Sequence, residues 1–266
     1  MMKRRTVALA LALLPCPVIA QPVAASFQPP LDREIRYEVV ETRQRQGLAL
    51  VFTLDQRVRF TRDAGGYRMK VIMQSATAKA PAPIAQRFDA AFRPFVGLEI
   101  ALLLSTDGKP LGLLDEAGTW SRLLAAIEAL KADSTLDPAV ARDIERVLAG
   151  IAALPAEARA AKLMESPLRL VGYALPPVAP GGAIESGDAR QSASAMLRAV
   201  DTGALTYAIR TRKQIADSAF LTSEGELRVD RATGLLLDSS MREWVGAVDR
   251  AASAEPDARI DVKLAR

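Results

Sequence analysis

Phe52-Thr53-Leu54-Asp55-Gln56-Arg57-Val58-Arg59-Phe60-Thr61 is followed by Asp63-Ala64-Gly65-Gly66 and then by Tyr67-Arg68-Met69-Lys70-Val71-Ile72-Met73-Gln74. In the first run Phe52, Leu54, Val58 and Phe60 alternate with Thr53, Asp55, Arg57, Arg59 and Thr61. Period two is the mark of a strand with one buried face, because successive side chains point to opposite sides of the pleat. In the second run Tyr67, Met69, Val71 and Met73 alternate with Arg68, Lys70, Ile72 and Gln74. The short Asp-Ala-Gly-Gly stretch between them has turn chemistry, since glycine reaches positive φ cheaply. The three segments together predict an antiparallel hairpin.

Working outward, Ile35-Arg36-Tyr37-Glu38-Val39-Val40-Glu41 is a partner strand before the hairpin. After it, Val96 to Leu104 and Leu111 to Leu114 flank Asp107-Gly108-Lys109-Pro110, a second hairpin signal. The period then changes. Trp120, Leu123, Leu124, Ile127 and Leu130 recur at three and four, as on an amphipathic helix. Asp137-Pro138 offers an N-cap and a first-turn proline, and Val140, Ile144, Val147, Leu148 and Ile151 continue the helical spacing. Pro155 opens a third short helix through Leu163, so residues 116–165 read as a helical insertion.

Strand character returns at Leu168 to Tyr173, before a Pro/Gly-rich surface loop at 176–182. Further strands are expected at Ala193 to Val200, around Leu205 to Arg212, and at Ile260 to Leu264. Glu226 to Asp230 and Leu235 to Asp238 flank Arg231-Ala232-Thr233-Gly234 as another hairpin. Strands, then helices, then strands predict an α+β domain with antiparallel pairing.

The segment Glu224-Gly225-Glu226-Leu227-Arg228-Val229-Asp230-Arg231-Ala232-Thr233-Gly234-Leu235, taken with Tyr37 to Met73, resembles exported bacterial β-rich proteins of unknown function. Their curved antiparallel sheet is similar to that of periplasmic lipoprotein carriers. The resemblance implies an open half-barrel; the long helical insertion departs from it, and its apolar stripe predicts that it packs on one face of the sheet. The resemblance implies no function by itself.

The chain begins Met1-Met2-Lys3-Arg4-Arg5, continues with the apolar run Val7 to Leu14, and reaches the small-residue pattern Val18-Ile19-Ala20. This is the layout of a cleavable export signal over residues 1–20, with residues 21–266 as a single domain in the periplasm. The apolar run is about half the roughly 20 residues a spanning helix needs, and no later stretch rivals it, so no transmembrane span is expected. Cys16 is the one cysteine and leaves with the signal. The whole chain carries 35 basic and 31 acidic residues. Losing Lys3, Arg4 and Arg5 leaves 32 against 31, which gives no electrostatic case for nucleic acid.

Histidine is absent from the sequence. The usual general base of hydrolases and the commonest zinc ligand are therefore missing, and no phosphate-binding or nucleophile-elbow motif occurs. No metal, cofactor or catalytic residue is expected. Asp230 and Asp238 flank one hairpin, and a carboxylate-only hydrolase would have to use such a pair. Arg57, Arg59, Arg68 and Lys70 share the polar side of adjoining strands, as either a headgroup-binding patch or a solvated face. Phe52, Leu54, Phe60, Tyr67, Met69 and Met73 form the opposite face, either as core under the helices or as the lining of an apolar ligand site. Three readings stay open. The first is a non-enzymatic envelope protein binding a lipid-like amphipathic ligand or an envelope protein on the sheet. The second is an assembly module binding only protein, and the third is the carboxylate hydrolase.

Overall fold

The alternating runs become long strands in a computed structural model that describes residues 25–45, 48–131, 138–171, 178–188, 190–216, 219–246 and 257–265. The leader and Asp137 lie outside the described residues. The first half is β1 (Glu34–Arg45), β2 (Leu48–Asp63), β3 (Gly66–Lys79), helix α1 (Ala82–Phe92), β4 (Glu99–Ser105) and β5 (Pro110–Leu114). Three helices follow: α2 (Glu116–Lys131), α3 (Pro138–Ala152) and α4 (Ala156–Val171). The chain returns through β6 (Ala183–Gly187), β7 (Gln191–Val200), β8 (Ala204–Ala216), β9 (Ala219–Asp230), β10 (Leu236–Gly246) and β11 (Ala258–Ala265).

All eleven strands form one antiparallel sheet in the order β5-β4-β3-β2-β1-β11-β10-β9-β8-β7-β6. Sheet neighbours are chain neighbours except at one seam, where β1 meets β11. The expected hairpin forms with Phe60 opposite Met69 and Val58 opposite Val71. A bulge skips Gln74, so Met73 stays on the Gln56 side while Ala76 and Ala78 take over that face opposite Leu54 and Phe52. The hairpin needs Gly66, whose φ is +152° and whose added Cβ would fall 2.2 Å from the Leu104 carbonyl oxygen of β4.

The main core contains Tyr37, Phe60, Met69, Leu102, Leu205 and Leu227, from strands on both sides of the seam. Outside the sheet it receives only Phe27, Leu170, Val171, Val178 and Leu235 among its buried members. Five side chains cannot roof a face this wide, since strands lie about 4.8 Å apart. The inner face therefore curls over and covers itself, while β5 and β6 are the edges of the sheet among the described residues. This is the open half-barrel.

The helices build a second core from Ala90, Leu98, Trp120, Leu123, Ile127 and Leu148, among others. The simplest packing of the sequence places Trp120, Leu124 and Ile127 over Leu54, Phe60 and Met69. The structure corrects this. Trp120 and Ile127 are buried among helices, with Leu124 half-buried beside them, and Phe60 and Met69 belong to the sheet core. The layers meet through α1, which packs on β3 and sends Ala90 into the helical core, and through α4, which sends Leu163 into the helical core and Leu170 and Val171 into the sheet core. Half-buried Ile100 and Leu113 touch both.

The strand expected from Leu168 is thus the last turn of α4, which runs through Pro167. Leu163, Leu170 and Val171 recur at seven and eight, a helical spacing, and burial at both ends outweighs the lost hydrogen bond of one internal proline. Two elements went unforeseen. Helix α1 stacks Phe88 on Phe52 with ring centroids 4.7 Å apart, and β6 is a five-residue edge. Among the described residues no helix is long and apolar enough to cross a membrane.

Tyr37 is fully buried at the seam, and its hydroxyl donates to the Leu236 carbonyl at 3.0 Å. Burial, and secondarily the nearby Asp230 charge, push its phenol far above the ordinary value; burial shifts Tyr207 the same way. The folded state prefers the neutral phenol. Its contribution is intact below the unfolded value of about pH 10 and is lost as pH climbs from there toward the raised folded value. Tyr37→Phe is expected to lower stability by about 1 kcal/mol at neutral pH and to flatten the alkaline decline. Denaturation midpoints from about pH 8 to 11 check this, and parallel curves for the two proteins would refute it.

Candidate functional site

The six residues of the apolar face do not share one environment. Phe60 and Met69 have no exposed surface. Tyr67 is buried edge-on to Phe27 at 5.3 Å, with its hydroxyl donating to the Phe27 carbonyl at 3.3 Å. Phe52 is buried against Phe88, and Leu54 is half-buried against the sheet core. Met73 borders a cavity of about 60 Å³ between β3 and α4. That volume suits a water or two, against the several hundred Å³ of a typical ligand pocket. In that cavity wall Gln56, 1% exposed, donates from Nε2 to Ser166 Oγ at 2.8 Å, and its Oε1 has no protein partner. Phe52, Phe60, Tyr67 and Met69 are thus packed as core on this face.

The basic residues of the outer face over β2 and β3 are neutralised locally. Arg57 meets Glu34 at 3.1 Å, Arg59 meets Asp32 at 3.2 Å, Arg68 meets Asp63 at 3.1 Å, and Lys70 meets Glu99 at 2.9 Å. Arg36 pairs with Asp55 beside them. This half of the surface is a laced, solvated face. The two hairpin acids are also engaged. Asp230 Oδ1 accepts from the Ala232 and Thr233 backbone N–H groups and from the Thr233 hydroxyl, as an Asx turn does. Asp238 pairs with Arg228 at 2.9 Å.

The other half of the outer face differs. Over β7 to β10 it dips into an open trough of about 860 Å³, continuous through Ser194 and Arg210 with a further 520 Å³ beside β6. Its apolar side chains are Met196, Ala208 and Trp244, the last only 5% exposed. Its charges are Arg198, Arg210, Arg242, Glu224 and Glu226, and Arg212 lines the extension. Gly225 contributes backbone to the trough, and β10 presses close to it: a Cβ there would fall 1.9 Å from the Ser240 carbonyl oxygen. Arg210 reaches Glu224 at 3.1 Å, and the Arg212 guanidinium lies 3.8 Å from the Phe220 ring centre. Arg198, Arg212 and Arg242 make no ion pair among the described residues.

No family model matches this chain, and no curated protein matches it. One solved structure with a similar shape is described as lipid-protein interactions in lipovitellin. It aligns over 90% of this chain with a TM-score of 0.44 and 9% identity. The chain spans about a quarter of that protein, 25% of its length.

The sequence reading passed over the trough because each residue in it looks ordinary alone. Its signal was available in the register. Ala208, Arg210 and Arg212 alternate along β8, Glu224 and Glu226 along β9, and Ser240, Arg242 and Trp244 along β10. An aromatic residue on the polar side of a strand is the anomaly that marks the site.

Proposed function

We propose that this protein is an exported, non-enzymatic binding protein of the bacterial periplasm that holds an amphipathic ligand on the outer face of its half-barrel. The observation that carries the reading is the trough over β7 to β10. Its volume of about 860 Å³ falls in the 300–1,000 Å³ range of ligand sites. Apolar and charged side chains share its lining, with a nearly buried tryptophan at its β10 side. The leader-like first 20 residues support export.

Trp244 supplies the test. In a Trp120→Phe background it is the one remaining tryptophan. Protein prepared from periplasm should carry a co-purifying amphiphile detectable by native mass spectrometry. Delipidated protein should show a saturable change in Trp244 emission when the extracted lipids are returned. A bare protein with unresponsive emission would overturn the reading.

A further inference from the structure

Cross-strand pairing sets Ser194, Arg210, Glu224, Arg242 and Arg259 in one row across β7 to β11. Arg242 stands directly opposite Arg259, and like charges so placed destabilise a sheet. Arg259 is balanced by Asp261 at 3.0 Å and Arg210 by Glu224 at 3.1 Å, whereas Arg242 is exposed with no ion pair among the described residues. Arg212, two residues from Arg210 on the same face, adds another cation without a carboxylate. The row and its neighbours thus hold four arginines against Glu224 and Asp261, and Glu226 lies one step further along β9. On the β2–β3 half, by contrast, every basic residue named above has its acid.

We infer that the trough takes an anionic amphiphile, an alkyl chain ending in a phosphate or carboxylate, with Arg242 meeting the acid group. This rests on the proposed function and narrows its ligand to one charge class. An incoming anion removes the Arg242–Arg259 repulsion and supplies the planar fork of Arg242 with its acceptor. The alkyl chain lies along Met196, Ala208 and Trp244. A peptide fits less well. Strands β7 to β10 spend their ladder groups on each other, so a peptide backbone pressed into the trough would lose water without gaining partners.

The test titrates delipidated protein with dodecyl phosphate, dodecyl maltoside, inorganic phosphate and a hexaglutamate peptide, below micelle formation, by calorimetry. Dodecyl phosphate should bind at least about tenfold more tightly than the others. Arg242→Gln should weaken it by about tenfold and yet leave the melting temperature of the bare protein unchanged or higher. A residue with a merely structural role would lower it. Equal binding of the maltoside overturns the charge assignment and leaves the proposed function standing. Equal binding of inorganic phosphate overturns the amphiphile. Binding of hexaglutamate alone overturns both readings in favour of an acidic protein partner, and so does retention of full affinity by Arg242→Gln for the charge role. Binding of none of the four overturns the inference together with the function it rests on.

Discussion

Phe60→Ala is expected to lower the stability of the fold by about 3–5 kcal/mol, a large part of the roughly 5–15 kcal/mol that holds a domain. Phe60 has no exposed surface and sits opposite Met69, with Phe27 edge-on at 6.1 Å. The ring is enclosed by a sheet that curls on itself, so the neighbours cannot collapse into the gap without moving several strands. Leu48→Ala, 57% exposed at the end of the same strand, should shift stability by no more than about 0.5 kcal/mol. Arg57→Ala removes one surface ion pair and should also change little. Chemical denaturation followed by circular dichroism compares the three. A Phe60→Ala protein as stable as Leu48→Ala would mean that the inner face already has slack, as a ligand lumen does, and would reopen that face as a binding site.

The second large effect is expected from Ile127→Asp. Ile127 is 1% exposed within the helical core. An ionised carboxylate buried there without a partner costs several kcal/mol. Because the helical and sheet cores are separate clusters, joined through α1, α4, Ile100 and Leu113, the damage should stay in the helical layer. The two tryptophans report the layers independently: Trp120 belongs to the helical core and Trp244 to the outer face of the sheet. In Ile127→Asp the Trp120 signal should melt well before the Trp244 signal, whereas the unaltered protein melts with the two closer together. A single coincident loss of both would show that the layers form one cooperative unit.

Much of this architecture is legible in the sequence. Tyr37 to Met73 shows two periods of alternation and a turn, and β1 to β3 follow from them with the correct inward residues. The helices were visible because Trp120, Leu123, Ile127 and Leu130 keep one face, and those residues are buried as a set. What stayed hidden depends on long-range packing. Nothing local in Leu168-Arg169-Leu170 tells a strand from a helix end; the difference is that Leu170 fits the mouth of the curled sheet. The choice between sheet-covering and self-associating helices was equally closed to local reading. A stripe on α2 shows that it must be covered, and α1, hidden in an alanine-rich segment, packs on β3 and α3 and adds Ala90 to the same core. The site was hidden for a related reason. Arg242 and Arg259 are 17 residues apart, and their opposition exists only in the register of β10 and β11.

That register also has a consequence in time. The seam joins Tyr37 to Leu264 and Val39 to Val262, pairs more than 200 positions apart, whereas every other pair of hydrogen-bonded strands is consecutive along the chain. A ribosome makes β1 early and β11 last among the described strands. Until β11 arrives, the twelve-residue β1 presents a bare ladder edge, and the half built from β6 onward later presents its own. Contacts this distant form slowly, after the local hairpins are complete. In that interval the missing half can be supplied by another copy, with β11 of one chain docking on β1 of its neighbour. High local concentration in that interval therefore favours strand exchange and aggregation over closure of the seam.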